Sequence, residues 1–253
     1  MAPVNPSQLV WSDEFDNDGR PDVDKWCYDI GTGNSGWGNQ ELQYYTDRLD
    51  NAFVSNGILN IRAIREDYQG KKYTSARIKT KFHGDWLYGR IRIRARLSNG
   101  AARGTWPAVW MLSTDGVYGG WPESGEIDIM EHVGYDPGVF HGTIQTDSYN
   151  HMKNTQQGSD TPANLTDWHV HEIIWSADKI DFVLDDFRFF TFARKQSATF
   201  REWPFDQRFY LILNMAVGGS WGGVKGVDEA AFEGSGQTME VDWVRVYNET
   251  TGL

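Results

Sequence analysis

The stretch Tyr88-Gly-Arg-Ile-Arg-Ile-Arg-Ala-Arg-Leu97 alternates apolar and basic side chains. Successive side chains of a β-strand point to opposite faces, so this spacing predicts a strand with one apolar and one charged face. The apolar face carries Ile91, Ile93, Ala95 and Leu97, and the opposite face carries Arg90, Arg92, Arg94 and Arg96. Because the chain has a formal net charge of −11, we interpret the arginine face as the salt-bridged outer surface of a sheet and not as a nucleic-acid stripe.

Similar short runs recur along the 253 residues, broken by Gly, Asn, Asp and Pro. They predict strands over 8–15, 52–56, 58–66, 74–82, 106–112, 125–133, 138–146, 168–176, 179–184, 187–193, 209–217 and 238–247. Asn56-Gly57 predicts a tight hairpin, and only 227–232 and 194–201 favour a helix. This pattern indicates an all-β antiparallel sandwich or barrel. Since no linker or repeat divides the chain, we expect one domain over 1–253.

The charge balance limits the possible partners. With 24 Lys and Arg against 35 Asp and Glu, the chain repels phosphates and anionic lipid, so we expect neither nucleic acid nor a membrane as a partner. The single cysteine, Cys27, cannot form an internal disulfide. The 12 tryptophans exceed what packing alone asks of such a chain, and an indole face suits a flat ligand.

Three acids lie within the six residues Glu126-Ile-Asp128-Ile-Met-Glu131. In a regular strand Glu126 and Asp128 share a face and Glu131 points away, but one β-bulge near Ile129-Met130 returns Glu131 to the acidic face. Neighbouring carboxyl groups raise at least one pKa, which is a usual way to place an acid beside a base. A calcium cluster or a solvated edge is the alternative, although the intervening apolar residues are typical of an interior strand.

Two glutamates that approach a sugar from either side are the apparatus of glycoside hydrolysis. Long side chains on a curved strand can reach the ~5–5.5 Å separation of a retaining enzyme, against the ~6.5–9.5 Å of an inverting one, and the sequence alone fixes neither distance. Asp128 would then hydrogen-bond the nucleophile.

The acid motif resembles the bulged E-x-D-x-x-E signature of the family 16 glycoside hydrolases, and the whole chain is similar to their laminarinase branch, the endo-β-1,3-glucanases. The motif alone would also admit agarases and carrageenases, whereas the ordered set of motifs is specific. That set comprises Trp11-Ser-Asp-Glu-Phe-Asp16, Gly36-Trp-Gly-Asn-Gln-Glu-Leu-Gln-Tyr-Tyr-Thr46, Ala76-Arg-Ile-Lys-Thr80, Trp106-Pro-Ala-Val-Trp-Met-Leu112, Asn214-Met-Ala-Val-Gly-Gly219 and Val241-Asp-Trp-Val-Arg-Val-Tyr247.

The resemblance implies a β-jelly roll of two curved antiparallel sheets whose concave face holds an open cleft. It makes Glu126 the nucleophile, Glu131 the acid/base and Asp128 the assisting acid of a double displacement that retains anomeric configuration and needs no cofactor.

The sugar-binding residues come partly from the resemblance and partly from the residues themselves. Trp106 and Trp110 share a strand face, and the resemblance places both in the cleft; Trp121 and Trp221 lie in loops, where an exposed indole favours a ligand. The resemblance adds Asn39, Glu41, Arg77, His141 and Gln145.

Two of these expectations are qualified. Arg77 would pair with Glu41 or the catalytic acids, with a structural salt bridge as the alternative. Gln145 stands where the commoner laminarinase pattern has a second histidine, so the pH profile near it is in doubt. We expect four other tryptophans, Trp11, Trp26, Trp175 and Trp243, to be core.

The resemblance also implies a structural calcium ion on the convex side, held by the carbonyls of Glu14 and Gly57 and the side chain of Asp242. A plain hydrogen-bonding acid is the alternative for Asp242. His169 and His171 alternate on one strand, but no third ligand accompanies them, so we expect packed histidines.

The sequence thus predicts a retaining endo-β-1,3-glucanase acting on polysaccharide, with mixed-linkage β-1,3-1,4-glucan as a secondary substrate. The alternatives are a non-catalytic β-glucan recognition protein, which typically lacks the glutamates, and a galactan hydrolase on the same fold. Because polymers do not enter cells, we expect a secreted protein, monomeric, whose signal peptide was removed.

Overall fold

The computed structural model describes residues 8–248 as two β-sheets packed face to face. The ten-stranded sheet contains β1 (Gln8–Asp13), β3 (Gln43–Tyr45), β4 (Ala52–Ser55), β5 (Ile58–Tyr68), β6 (Lys71–Ser75), β8 (Gly89–Leu97), β13 (His169–Trp175), β14 (Lys179–Leu184), β15 (Phe187–Ala193) and β17 (Gln237–Asn248). The seven-stranded sheet contains β2 (Cys27–Tyr28), β7 (Arg77–Lys79), β9 (Thr105–Ser113), β10 (Glu126–Glu131), β11 (Val139–Gln145), β12 (Gln157–Pro162) and β16 (Phe209–Val217). The prediction of an all-β sandwich is confirmed.

The strand β8 has the two faces that its alternation predicts. Its four apolar side chains are at most 1% exposed and lie in the core between the sheets. The opposite face carries ion pairs: Arg90 and Arg92 both bind Glu172 on the neighbouring β13, which lies opposite them. Arg94 binds Asp242 and Arg96 binds Glu240, both on β17. Every second side chain of β8 is buried in the core, so its charged side chains lie on the outer surface of the sandwich.

The tryptophans divide differently from the prediction. Trp26 and Trp175 are buried as expected. Trp11 is only half-buried at the margin of the core, against Trp26. For Trp243 the core prediction is wrong: a bulge in β17 at Asp242 turns Trp243 to the outer face, where the Arg245 guanidinium lies 4.2 Å from its ring. The bulge shifts the alternation by one residue, which periodicity alone does not reveal.

Several predicted element bounds need correction. The strand predicted over 74–82 is divided at Ala76 into β6 and β7, which lie in different sheets. The segment 194–201 forms turns and not a helix, while the helix predicted over 227–232 is a short turn at Glu229–Phe232. The short strands β2 and β3 and the loop strand β12 were not predicted, and β3 runs parallel to β6. Two- and three-residue strands are too short for alternation to be detected.

The predicted hairpin at Asn56-Gly57 joins β4 and β5, and both residues adopt positive φ, 52° and 75°. This conformation suits the primed turns that match the twist of paired strands. Helical structure within residues 8–248 is confined to short turns, none with the length and apolarity that a membrane crossing would need.

Candidate active site

A β-bulge places the three acids of β10 on one surface. Asp128 lies opposite Trp110 of β9 and Glu131 opposite Ala108, so three steps along β10 match two along β9. The same irregularity appears against β11, where Asp128 faces Thr143 and Glu131 faces His141. The predicted bulge is therefore confirmed, and the apolar residues between the acids fill the core on the opposite side of the sheet.

The acids share a protein-enclosed environment that favours their protonated forms. Burial raises the pKa of Glu126 to about 8, and the charge of Glu131 acts in the same direction. Burial, together with the charges of both glutamates, raises the pKa of Asp128 well above its usual range. Burial also raises the pKa of Glu131, against the hydrogen bond from Trp106 and the charge of His141. The cluster therefore retains protons near neutral pH, as a general acid requires.

Other groups favour the ionised form of Glu126. The positive charge of Arg77 and hydrogen bonds from Asp128 and Trp121 lower its pKa. In addition, Gln145, directly opposite on β11, donates from Nε2 to Glu126 Oε1 at 3.2 Å. Because some neighbours raise the pKa of Glu126 and others lower it, the charge of this carboxyl group can change when a substrate alters its surroundings.

The aromatic rings of Trp106, Trp221 and His141 lie close together beside Glu131. Trp106 donates from Nε1 to Glu131 Oε1 at 3.0 Å. The ring of Trp221, from the loop after β16, lies edge-on to Trp106 at 5.6 Å and also contacts the His141 ring at 5.0 Å. His141 Nδ1 in turn lies 2.8 Å from an oxygen of Asp160 on β12. Two sequence-predicted tryptophans and one histidine thus meet around one carboxyl group.

The guanidinium group of Arg77 lies between the indole rings of Trp37 and Trp110. Its guanidinium carbon is 4.8 Å from the Trp110 ring and 4.6 Å from the Trp37 ring. Its acidic partner is Asp29, at 2.9 Å. Arg77 therefore forms a structural salt bridge, as the alternative interpretation predicted. It pairs with Asp29 and contacts the two rings, and not Glu41 or the catalytic acids as expected.

Glu41 belongs to a buried hydrogen-bond network that extends to Trp110. Its oxygens accept hydrogen bonds from Gln43 at 2.6 Å, Tyr45 at 3.1 Å and Asn39 at 3.3 Å. Only 6% of Glu41 is exposed, and burial raises its pKa. Asn214 extends the network, because its amide donates to the Tyr45 hydroxyl while its carbonyl accepts from Trp110 Nε1 at 2.7 Å.

Sequence reasoning did not identify four residues near the acids. Trp37 and Asn214 lie inside the quoted motifs, so those motifs could have indicated them. Asp29 and His151 lie in no motif and come close only through the fold. Trp121, by contrast, is 38% exposed as predicted, and its ring lies 5.1 Å from that of His151.

The three residues expected to bind calcium converge in the ten-stranded sheet. β5 pairs with one edge of β17 as far as Val241, and β1 pairs with the same edge from Val244 onward. Glu14 and Gly57 therefore both lie next to the bulge at Asp242. The side chain of Glu14 binds Arg245 at 2.7 Å. Within residues 8–248, no group of three His, Cys, Asp or Glu side chains could by itself hold a metal ion.

The chain matches known proteins along nearly its whole length. The model of glycosyl hydrolases family 16 matches residues 36–245. A β-glucanase of Rhodothermus marinus is 52% identical over 95% of this chain and 85% of its own.

Two solved structures share the fold. The laminarinase of Rhodothermus marinus superposes with a TM-score of 0.91 at 50% identity, over 96% of this chain and 97% of that one. SCLam, described as a non-specific endo-β-1,3(4)-glucanase and co-crystallised as a glutamate-to-serine variant with 1,3-β-D-cellotriosyl-glucose, gives 0.90 at 43% identity over 98% and 97%. The jelly-roll prediction is thereby confirmed, and the chain belongs to glycosyl hydrolases family 16.

Proposed function

We propose that this chain is an endo-β-1,3-glucanase that hydrolyses laminarin-type polysaccharide with retention of anomeric configuration. The observation that carries the proposal is the bulge that brings Glu126, Asp128 and Glu131 to one surface. Burial there raises the pKa of Asp128 and Glu131, while the charge of Arg77 and the hydrogen bond from Gln145 favour the ionised form of Glu126 that the attack needs. The names of the similar proteins support the same substrate class.

In the first step protonated Glu131 donates its proton to the glycosidic oxygen while the carboxylate of Glu126 attacks the anomeric carbon. The bond between that carbon and the oxygen breaks with its electron pair on the oxygen, and a covalent glycosyl-enzyme forms. Glu131, now ionised, then takes a proton from the water that attacks the same carbon, and the bond to Glu126 breaks. Protonated Asp128 donates a hydrogen bond to Glu126 and stabilises its ionised form.

The aromatic side chains suit a chain of pyranose rings. The indoles of Trp106, Trp110, Trp121 and Trp221 lie in or beside the site, and the apolar C–H face of a sugar packs against such a surface. Arg77 and Asn39 supply donors for hydroxyl groups on the side of Trp110, and His141 and Gln145 border the acids on the other side. We propose mixed-linkage β-1,3-1,4-glucan as a secondary substrate, since SCLam is described as acting on β-1,3(4)-glucan.

The test is product analysis on laminarin, barley mixed-linkage glucan and agarose in parallel, with anomeric configuration followed by proton NMR. We expect β-configured oligosaccharides from laminarin. Glu126→Ser should abolish turnover while laminarin binding and thermal stability remain close to wild type, and Glu233→Ser, at the exposed pair with Arg65, is the matched control.

The other outcomes separate the alternatives. Laminarin that is bound but never cleaved by the wild type would establish a recognition protein. Cleavage of agarose alone would establish a galactan hydrolase. An inverted product would remove the nucleophile role from Glu126.

We also propose that Glu14 and Gly57, through their carbonyls, and Asp242, through a carboxylate oxygen, bind a structural Ca²⁺. Two carbonyls and a carboxylate are the hard oxygen ligands that Ca²⁺ prefers. Arg94 contacts Oδ2 of Asp242, so Oδ1 is the atom offered to the ion. Added Ca²⁺ should raise the melting temperature of the wild type but not of Asp242→Asn; equal responses would contradict the site.

Two further properties remain proposals. We propose a secreted protein because the polymeric substrate is extracellular; the first seven residues, which bear on processing, lie outside the described range. We also propose a monomer, which light scattering in solution would test.

A further inference from the structure

Gln145 connects Glu126 to a histidine from another part of the chain. Its Nε2 donates to Glu126 Oε1 at 3.2 Å. At the other end of the amide, Oε1 lies 3.0 Å from the backbone nitrogen of His151 and 2.9 Å from His151 Nδ1. Gln145 itself is 8% exposed, so its amide has little freedom to find water instead.

These contacts determine which way the amide points. A backbone N–H can only donate, so the group facing His151 must be the carbonyl oxygen of Gln145 and the group facing Glu126 must be its NH₂. Nδ1 of His151 approaches the same oxygen, so it must carry a proton as well. Because Nδ1–H is present in this neutral tautomer and in the imidazolium alike, the contact does not depend on the charge of His151.

His151 is held in place from two sides. It begins the short turn His151–Lys153, where the Asn150 side chain accepts a hydrogen bond from the Lys153 nitrogen at 3.2 Å and donates to the Thr146 carbonyl at 3.0 Å. Its ring packs against Trp121 at 5.1 Å with the planes 33° apart. The turn after β11 and the loop before β10 therefore meet at this imidazole.

We propose that His151 is a positioning residue for Glu126 that acts through Gln145. By donating to Gln145 Oε1 it keeps the amide NH₂ directed at one oxygen of Glu126, so that the carboxylate is stabilised and the other oxygen is aimed at the anomeric carbon. The inference rests on the proposed nucleophile role of Glu126. It adds an exposed residue of the turn after β11 to the groups that prepare the attack.

The test compares variants on laminarin. His151→Ala removes one of the two donors to Gln145 Oε1, and we expect kcat to fall about 3- to 10-fold, the range of one neutral hydrogen bond, with KM changed less than about twofold. His151→Asn offers an amide NH₂ near the position of Nδ1 and should recover most of the lost kcat. Met152→Ala, at the exposed neighbour in the same turn, is the matched control and should be fully active.

A double-mutant cycle shows whether the effect passes through Gln145. In a Gln145→Leu background, His151→Ala should have almost no further effect on kcat. An equal loss in both backgrounds, a change in KM alone, or full activity of His151→Ala would overturn the inference. Since His151 and Met152 are exposed, melting temperatures of the His151 and Met152 variants should stay near wild type. A wild type that binds but does not cleave laminarin would instead overturn the proposed function, and this inference with it.

Discussion

The indole nitrogen of Trp106 donates a 3.0 Å hydrogen bond to Oε1 of Glu131. The two residues lie on adjacent strands, with Ala108 directly opposite Glu131. In the proposed mechanism, one side chain therefore offers an apolar face to a sugar ring and an N–H to the acid/base. In this arrangement, substrate stacking and the charge of Glu131 depend on the same indole.

Trp106→Phe should move the basic limb of the pH profile. The hydrogen bond from Trp106 lowers the pKa of Glu131, so its removal raises that pKa further. A general acid must be protonated, and activity is lost as the pH rises through its pKa. We therefore expect the basic limb of kcat/KM to shift to higher pH, with a fall of about tenfold at the optimum.

Trp110→Phe is the matched control for this experiment, because Trp110 Nε1 donates to Asn214 and not to an acid. It should weaken activity and leave the basic limb in place. An unchanged limb in Trp106→Phe would mean that Glu131 does not set it.

Asp128→Asn should retain activity that Asp128→Ala loses. Burial and the charges of Glu126 and Glu131 raise the pKa of Asp128 well above its usual range, and the proposed mechanism uses it as a protonated donor to Glu126. An asparagine NH₂ can replace that donor, whereas alanine cannot. We expect kcat within about tenfold of wild type for Asn and a loss of about 100-fold or more for Ala, the effect of removing one preorganised donor. Equal losses would show that Asp128 works as an ionised group.

Acid should destabilise the fold through His171. Burial lowers the pKa of His171 to about 3, from 6.5 in the unfolded chain. The folded state therefore binds fewer protons, and stability that is present above pH 6.5 is lost as the pH falls toward 3, at roughly 1.4 kcal/mol per pH unit. His171→Gln should flatten this dependence, measured by urea unfolding between pH 7.5 and 4.5.

The exposed His83 provides the control for that measurement. His83→Gln should keep the wild-type slope of stability against pH. If His171→Gln keeps that slope too, the acid sensitivity comes from other groups.

Removal of Glu172 should cost more than removal of Glu240. The Glu172 side chain is 1% exposed and binds two arginines, Arg90 and Arg92. Glu172→Ala leaves these half-buried guanidinium groups without their acid, and we expect a loss of about 2–3 kcal/mol in the free energy of unfolding. Among residues 8–248, the ion-pair partner of Glu240 is Arg96 alone, and its side chain is 18% exposed. Glu240→Ala should therefore lower the free energy of unfolding by less than about 1 kcal/mol. Similar losses in urea unfolding would contradict the role of burial.

Prediction from sequence succeeded where the residues of one strand suffice to assign each side chain to a face. The alternation of 88–97 correctly separates core side chains from ion-paired arginines, and the three acids of β10 require the bulge that the structure contains. It failed at Trp243, where a bulge reverses the faces. The division of 74–82 between two sheets was missed for a related reason, since the segment reads as one continuous strand.

At the site, the sequence and the family resemblance identified the acids and most of the residues around them. They did not identify the partners that set charge and orientation. Asp29 reaches Arg77 across 48 positions, Asn214 reaches Trp110 across 104, and His151 reaches Gln145 from a separate turn. No local pattern records such pairs.

The sequence by itself determined the faces of the strands, because side-chain alternation is a property of the extended backbone. It also determined that Glu126 and Asp128 share a face, and it predicted the bulge that brings Glu131 to them. Only the tertiary structure decided that Gln145 points its NH₂ at Glu126, that Arg77 lies between Trp37 and Trp110, and that burial raises the pKa of the acids. Hydrogen bonds and desolvation depend on atoms that the folded chain brings together from distant positions, and their effects exist only in the packed molecule.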